Sequence, residues 1–179
     1  MKKYTSIAVS GPIAAGTTTT AKALAEKLNL RYESAGDFFR NYVLERNIPL
    51  HDKAQIPDEL DREVDEKLTE MAKNGGVVID GHYIGYFTRD MPHVLKVLLT
   101  CDYQTRIQRA IERSHTHTET EEEIKLREEG LDKKFRKLYA DENFLDPKFF
   151  DLVIDTTKTD KDEVVEEITK KFLSSNLPN

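Results

Sequence analysis

The stretch Gly11-Pro12-Ile13-Ala14-Ala15-Gly16-Thr17-Thr18 decides the reading of this chain. It keeps both glycines of the pattern G-x-x-x-x-G-K-[ST], in which backbone N–H groups wrap around phosphates and the final hydroxyl reaches Mg²⁺. Thr18 supplies that hydroxyl, and Thr17 stands where the pattern has lysine. Upstream, Thr5-Ser6-Ile7-Ala8-Val9-Ser10 is a β-branched, largely apolar run that predicts a buried strand. Downstream, Thr20, Ala21, Leu24, Ala25 and Leu28 recur at helical spacing, with Lys22, Glu26 and Lys27 on the wetter side. Strand, glycine loop and helix is the context the motif requires. The helix start adds unpaired N–H groups and the positive end of its dipole. A plain strand-to-helix turn would share the glycine spacing but needs none of this context.

Working outward, the chain alternates strands and helices. Strands are predicted at Arg31–Ser34, 76–80, 92–100 and Asp151–Asp155. Helices are predicted at 35–46, at 58 to about 73 (with Asp58 as its cap), at 103 to about 113, at 119 to about 139, and at 160–172. Residues 47–58, with Pro49 and Pro57, read as a loop, and the apolar side of the 35–46 helix is predicted to carry Phe38, Phe39, Tyr42 and Val43. Alternation of this kind predicts an α/β fold with a parallel sheet covered on both faces. Ligands in such sheets sit at the carboxyl ends of the strands. That edge would hold the 11–18 loop, Ser34 and Asp80.

The 179 residues predict one domain without repeats or linkers. A formal net charge of −6 argues against a broad nucleic-acid surface. The single cysteine, Cys101, excludes an intrachain disulfide and reads as a small core residue. No apolar run is long enough to span a membrane, and the first strand follows Met-Lys-Lys-Tyr, so the expectation is a cytoplasmic protein without membrane contact.

Phosphoryl transfer needs alignment, Mg²⁺ and positive charge around the moving group. Candidates for that charge are Arg40, then Arg106, Arg109 and Arg113 at helical spacing, and Arg127 and Lys134 on the long charged helix. A solvated face would explain the 106/109/113 row equally well if the phosphate loop were absent. Asp80, ending its strand, is a candidate ligand for Mg²⁺ or its water. His115 and His117 read as loop surface, since no third ligand accompanies them.

With these residues in view, the chain resembles the archaeal-type (type 2) cytidylate kinases among the nucleoside monophosphate kinases, nearly end to end. The matching segments are GPIAAGTTTTAKALAEKL, SAGDFFR (34–40), VVIDGHYIG (77–85), EEIKLREE (122–129) and FDLVIDTTK (150–158). The resemblance implies a three-layer α/β/α P-loop NTPase fold with five parallel strands. It also implies a helical monophosphate-binding insert at about 34–73 and a lid at about 113–134, within a single 1–179 domain. It implies that Gly11, Ala14, Ala15, Gly16, Thr17, Thr18 and Thr19 hold the phosphates of ATP, with Thr18 and Asp80 on Mg²⁺. Ser34, Asp37, Arg40, Gly81 and His82 would hold the acceptor, and Asp61, in Asp61-x-x-x-Asp65, would read its base. Arg109, Arg113 and Arg127 would close over ATP and the transferring phosphoryl. The implied protein is a monomer acting on small nucleotides. This chain departs from the family pattern at His82, usually arginine, at Leu131, usually acidic, and at Lys134, usually arginine. Three readings follow: a CMP/dCMP kinase using ATP and Mg²⁺, a related kinase with another acceptor such as AMP or UMP, or a nucleotide-binding protein that no longer transfers phosphate.

Overall fold

The computed structural model describes residues 4–112 and 119–174. Arg113, His115, His117 and most of the expected lid loop lie outside these residues. Five strands form one parallel sheet: β1 (Ser6–Ser10), β2 (Arg31–Ser34), β3 (Val77–Asp80), β4 (Val94–Thr100) and β5 (Leu152–Asp155), in the order β2-β3-β1-β4-β5. The helices are α1 (Thr17–Leu28), α2 (Ala35–Glu45), α3 (Asp58–Asn74), a single turn α4 (Ile84–Phe87), α5 (Tyr103–Ile111), α6 (Glu121–Leu138) and α7 (Lys161–Ser174).

Side-chain alternation along the strands builds the layers. Ile7 and Val9 of β1, Val78 of β3, and Leu95, Val97 and Leu99 of β4 face α1 and α7, meeting Ala21, Leu24, Val164, Ile168 and Phe172. Ala8, Val77 and Ile79 face the other way, onto Val64, Leu68 and Ala72 of α3. A third cluster lies beyond the strand ends, where Tyr83, Tyr86, Ile107, Ile124, Leu131 and Phe144 surround Phe135. Rings pack edge-on or tilted here, Tyr86 to Phe135 at 4.9 Å and Phe135 to Phe144 at 5.0 Å between centroids. This cluster fastens α5 and α6 to the turn after β3.

Side-chain caps explain the starts of α2, α5 and α6. Ser34 caps α2 through the Asp37 N–H at 3.2 Å, and Asp102 caps α5 through the Thr105 N–H at 2.9 Å. Thr120 and Glu123 form a reciprocal capping box on α6. Asp58 departs from expectation. Pro57 precedes the helix, Asp58 is its first residue, and the Asp58 carboxylate pairs with Lys137 instead of capping. The apolar side of α2 also differs from expectation: only Val43 is buried, and Phe38 is 42 % exposed. Helical periodicity marks a face but not what covers it: Phe39 packs against the α3 and β3 core while Phe38 stays exposed.

Phe135 is the measure of the third cluster. Phe135→Ala should lower the unfolding free energy by about 3–5 kcal/mol, read by urea denaturation with an unchanged slope. A loss comparable to a surface substitution would show that α5 and α6 are held by other contacts.

Candidate active site

Parallel register sets the site. Val9 of β1 and Ser34 of β2 both pair with Asp80 of β3, so three strands end at one level. The strand order turns about β1, where a ligand crevice opens. Gly11 starts the loop against β4: a Cβ there would lie 2.6 Å from the Leu99 carbonyl oxygen. Gly16 ends it at φ 95°, in left-handed space that favours glycine. Ala14 holds φ 64°, a strained value for alanine and one that clusters at functional loops. Gly16 caps α1 without a side chain, and no side-chain hydrogen bond covers the helix start.

Thr18 Oγ1 donates to Asp80 Oδ2 at 2.5 Å, and Ser34 Oγ lies 3.5 Å from the same oxygen. Asp80 is buried, and desolvation pushes its carboxyl up, against the Thr18 and Thr17 hydroxyls and the Arg40 charge, which stabilise the anion. A buried carboxylate beside a hydroxyl, next to a phosphate loop, is the hard-oxygen donor set that Mg²⁺ takes. Among the described residues no cluster of three or more His, Cys, Asp or Glu could hold a metal.

On the acceptor side, Arg40 pairs with Asp37 one turn into α2, and Ser34 caps that turn. Gly81 follows Asp80, its N–H donating to Val9 O at 3.2 Å. Ser10 Oγ donates to Gly81 O at 2.7 Å and accepts from the Gly85 N–H at 3.1 Å. Ser10, to which the sequence assigned no role, therefore locks β1 to the turn after β3. His82 Nδ1 lies 3.0 Å from Gly11 O. A carbonyl only accepts, so Nδ1 carries the proton. Burial pushes the ring down to about 4, and the charges of Arg127, Lys53 and Arg40 act in the same direction, against the Gly11 bond. The imidazole is neutral at pH 7, with an unprotonated Nε2, and differs from an arginine in both charge and donor count.

The arginine row divides. Arg106 is buried. Its Nη1 donates to Ile13 O at 2.9 Å and to Glu128 Oε1 at 2.6 Å, and that carboxylate also accepts from the Ile13 N–H at 3.2 Å. This knot ties the phosphate loop to α6 and removes Arg106 from the row of available cations. Arg109 Nη2 donates to Thr156 O at 2.7 Å, while Thr156 Oγ1 lies 2.9 Å from Ala15 O in the loop. Cys101 is half-buried, with Sγ 3.4 Å from Arg109 Nη1. Arg127 Nη1 holds both oxygens of Glu119 at 2.7 Å.

Asp61 and Asp65 are buried on α3. Asp61 is 1 % exposed and ion-paired with Lys134, whose Nζ also donates to Lys53 O at 3.2 Å and to Ile56 O. In this arrangement the Asp61 carboxylate faces lysines. Lys134 braces the 53–56 turn, and Leu131 is core. Lys53, read in the sequence only as part of a loop, is buried 3.8 Å from Asp61.

With this geometry in place, the protein is defined as a three-layer P-loop domain of the phosphotransferase type. A family model described as an AAA domain matches residues 7–130. A cytidylate kinase of Archaeoglobus fulgidus is 35 % identical over 171 residues, 92 % of each chain. One of Ignicoccus hospitalis is 35 % identical over 94 % of this chain and 99 % of its own, and one of Staphylothermus marinus 33 % over 93 % and 97 %. Among solved structures, a shikimate kinase from Acinetobacter baumannii superposes with TM-score 0.62 at 17 % identity, covering 99 % and 97 % of the two chains. A gluconokinase from Sinorhizobium meliloti gives 0.63 at 15 %, covering 96 % and 94 %. These two share the fold. The chain belongs to the archaeal-type cytidylate kinase family, within the nucleoside monophosphate kinases.

Asp65 offers a pH test. Burial pushes its carboxyl up to about 7, against the Tyr139 hydroxyl that donates to Oδ2 at 2.7 Å and with the help of the Asp61 charge. An acid with a raised folded pKa holds more protons folded than unfolded between about pH 4 and 7. Its contribution to stability therefore falls as pH rises through that window. Asp65→Asn removes the titration. The variant-minus-parent unfolding free energy should increase from about pH 4 to 8 by on the order of 3 kcal/mol. A difference independent of pH would contradict it.

Proposed function

We propose that this protein transfers the γ-phosphoryl group of ATP to a nucleoside monophosphate, CMP or dCMP, giving ADP and the diphosphate. The observation that carries the reading is the Thr18–Asp80 contact at 2.5 Å, placed between the phosphate loop and the Ser34 end of β2. Thr18 and Asp80 would hold Mg²⁺, which when bound supplies charge neutralisation to the phosphates. Residues 11–19 offer the triphosphate backbone N–H groups and the N-terminus of α1. Ser34, Asp37, Arg40, Gly81 and His82 frame the acceptor. Arg109 and Arg127, with Arg113 from the lid, supply positive charge over the transferring phosphoryl in place of the lysine that Thr17 replaces. A phosphate oxygen of the monophosphate attacks the γ-phosphorus and ADP leaves, so the work of the side chains is alignment, charge and exclusion of water.

CMP or dCMP as acceptor rests on the names of the relatives, each a cytidylate kinase. The net charge of −6 supports small nucleotides rather than nucleic acid as partners, and we read the protein as a monomer. Among the described residues no helix is long and apolar enough to cross a membrane.

An ADP-release assay with ATP and Mg²⁺ against CMP, dCMP, UMP, AMP and GMP tests the reading. CMP or dCMP should give the highest kcat/KM. A preference for AMP or UMP would move the acceptor, and ATP binding without turnover of any of them would mark a non-catalytic protein. Arg127→Ala should lower kcat about a hundredfold with little change in the acceptor KM. An unchanged kcat would remove Arg127 from the transferring phosphoryl.

A further inference from the structure

Lys53 occupies an unusual position for a lysine from a loop. It sits in a single 3-10 turn, Lys53–Gln55, yet is 8 % exposed. Its stem passes over Gly130 in the middle of α6: a Cβ on that glycine would meet Lys53 Cβ and Cγ, each at 3.3 Å. Glycine inside a helix costs about 1 kcal/mol relative to alanine, and here it makes room for the lysine. The ammonium ends 4.1 Å from the centre of the Phe39 ring on α2, the helix that also carries Asp37 and Arg40.

The Lys53 charge is loosely paired. Asp61 is its anion, at a long 3.8 Å, and the same carboxylate is taken by Lys134. Lys134 also lies 3.8 Å from Asp58, whereas among the described residues Lys53 has Asp61 alone. Lys134 is satisfied, because it also donates to the Lys53 and Ile56 carbonyl oxygens. Among the described residues the Lys53 ammonium finds no hydrogen-bond acceptor, only the Phe39 face and the distant carboxylate. Burying a cation short of partners is costly. Desolvation accordingly draws the Lys53 amine down to about 8, and the Lys134 and Arg127 charges oppose Asp61 and Asp65 there. The Lys53 charge also reaches His82, together with those of Arg127 and Arg40. Of these three cations, Arg127 is held by Glu119 and Arg40 by Asp37, so Lys53 is the loosely held one.

We propose that Lys53 is an acceptor-binding residue whose ammonium grips the phosphate of the nucleoside monophosphate. The assignment rests on the kinase reading above. A dianionic phosphate matches the loosely paired charge and the unused donors. A neutral nucleobase would satisfy a donor and leave the charge loosely paired.

The test compares the monophosphate that the parent enzyme turns over best with its dephosphorylated nucleoside, by calorimetry and steady-state kinetics. Lys53→Gln should reduce the affinity ratio of monophosphate over nucleoside about thirtyfold, raising the acceptor KM while the ATP KM stays within about twofold. Lys53→Arg should restore most of the ratio. Equal loss of affinity for monophosphate and nucleoside would overturn the phosphate assignment, as would an unchanged ratio. If Lys53→Gln does not fold, the 13Cε resonance of Lys53 in the parent protein decides. It should shift with the monophosphate and not with the nucleoside, and equal or absent shifts would overturn the proposal. No turnover of any monophosphate by the parent would remove the kinase reading and this assignment together. Turnover with an unaltered ratio in the variant would remove the assignment alone.

Discussion

The packing of Gly11 against β4 is the constraint on which the site depends. With 2.6 Å between a hypothetical Cβ and the Leu99 carbonyl oxygen, any larger residue would push the loop off the sheet. That close approach lets the chain leave β1 between two parallel neighbours and turn directly into α1. It carries Thr18 to the level of Asp80, because Val9 is already in register with that residue. The Ser10 hydroxyl then fixes the neighbouring turn from below, through Gly81 and Gly85. The Gly11 carbonyl orients His82 from above. A few atoms of backbone clearance therefore set a phosphate loop, a carboxylate and an imidazole relative to one another before any ligand arrives.

Polar ties between its elements hold the rest of the site, beside the apolar contacts of Ile13 and Ala14 with α6. The Arg106–Glu128–Ile13 knot couples the phosphate loop to α6, and Lys134 couples α6 to the 53–56 turn and to Asp61 on α3. Buried ion pairs of this sort contribute little net stability, since desolvation offsets attraction, but removing one partner is expensive. They act as position markers. α6 thus touches both the phosphate loop and the 53–56 turn, and Phe135 anchors it in the aromatic cluster.

Strands were readable from the sequence because fully buried parallel strands are short apolar runs, and the glycine loop was readable because its flanking elements were. Asp80 and Ser34 followed from strand ends in a parallel sheet. Side-chain direction was not readable. Arg106, Arg109 and Arg113 share a helical row in sequence, yet Arg106 turns inward because α6 brings Glu128 beside it, a tertiary crossing that no spacing encodes. The apolar periodicity of α2 marked Phe38 and Phe39 but could not say that Phe39 packs on the core while Phe38 stays exposed. Lys53 was hidden for the opposite reason. A proline-bounded loop predicts solvent for a lysine, and only Gly130, 77 positions later, betrays the path of its stem. A mid-helix glycine and the acidic pair Asp61 and Asp65 were the available signals, and neither names its partner. Asp61 was expected at the base and lies among lysines for the same reason.

Thr17 removes from the loop the cation that the motif ordinarily places there in advance of the nucleotide, so phosphate charge has to be met by groups already engaged elsewhere. Their partners differ in hold. Arg40 and Asp37 form a partly exposed pair one turn apart, of a kind worth about 0.3–0.5 kcal/mol, so an incoming phosphate displaces it easily. Arg127 is half-buried against the buried Glu119 and engages both of its oxygens, which makes release costly unless Glu119 finds water or another cation at the same time. In the proposed reaction the acceptor side is therefore ready, and the lid side must be rearranged. Exchange of Glu119 for phosphate on Arg127 becomes the step that separates a loaded enzyme from an empty one. A loop lysine would not require that exchange. In the proposed reaction, its replacement by threonine ties the neutralisation of phosphate charge to that exchange of partners on Arg127.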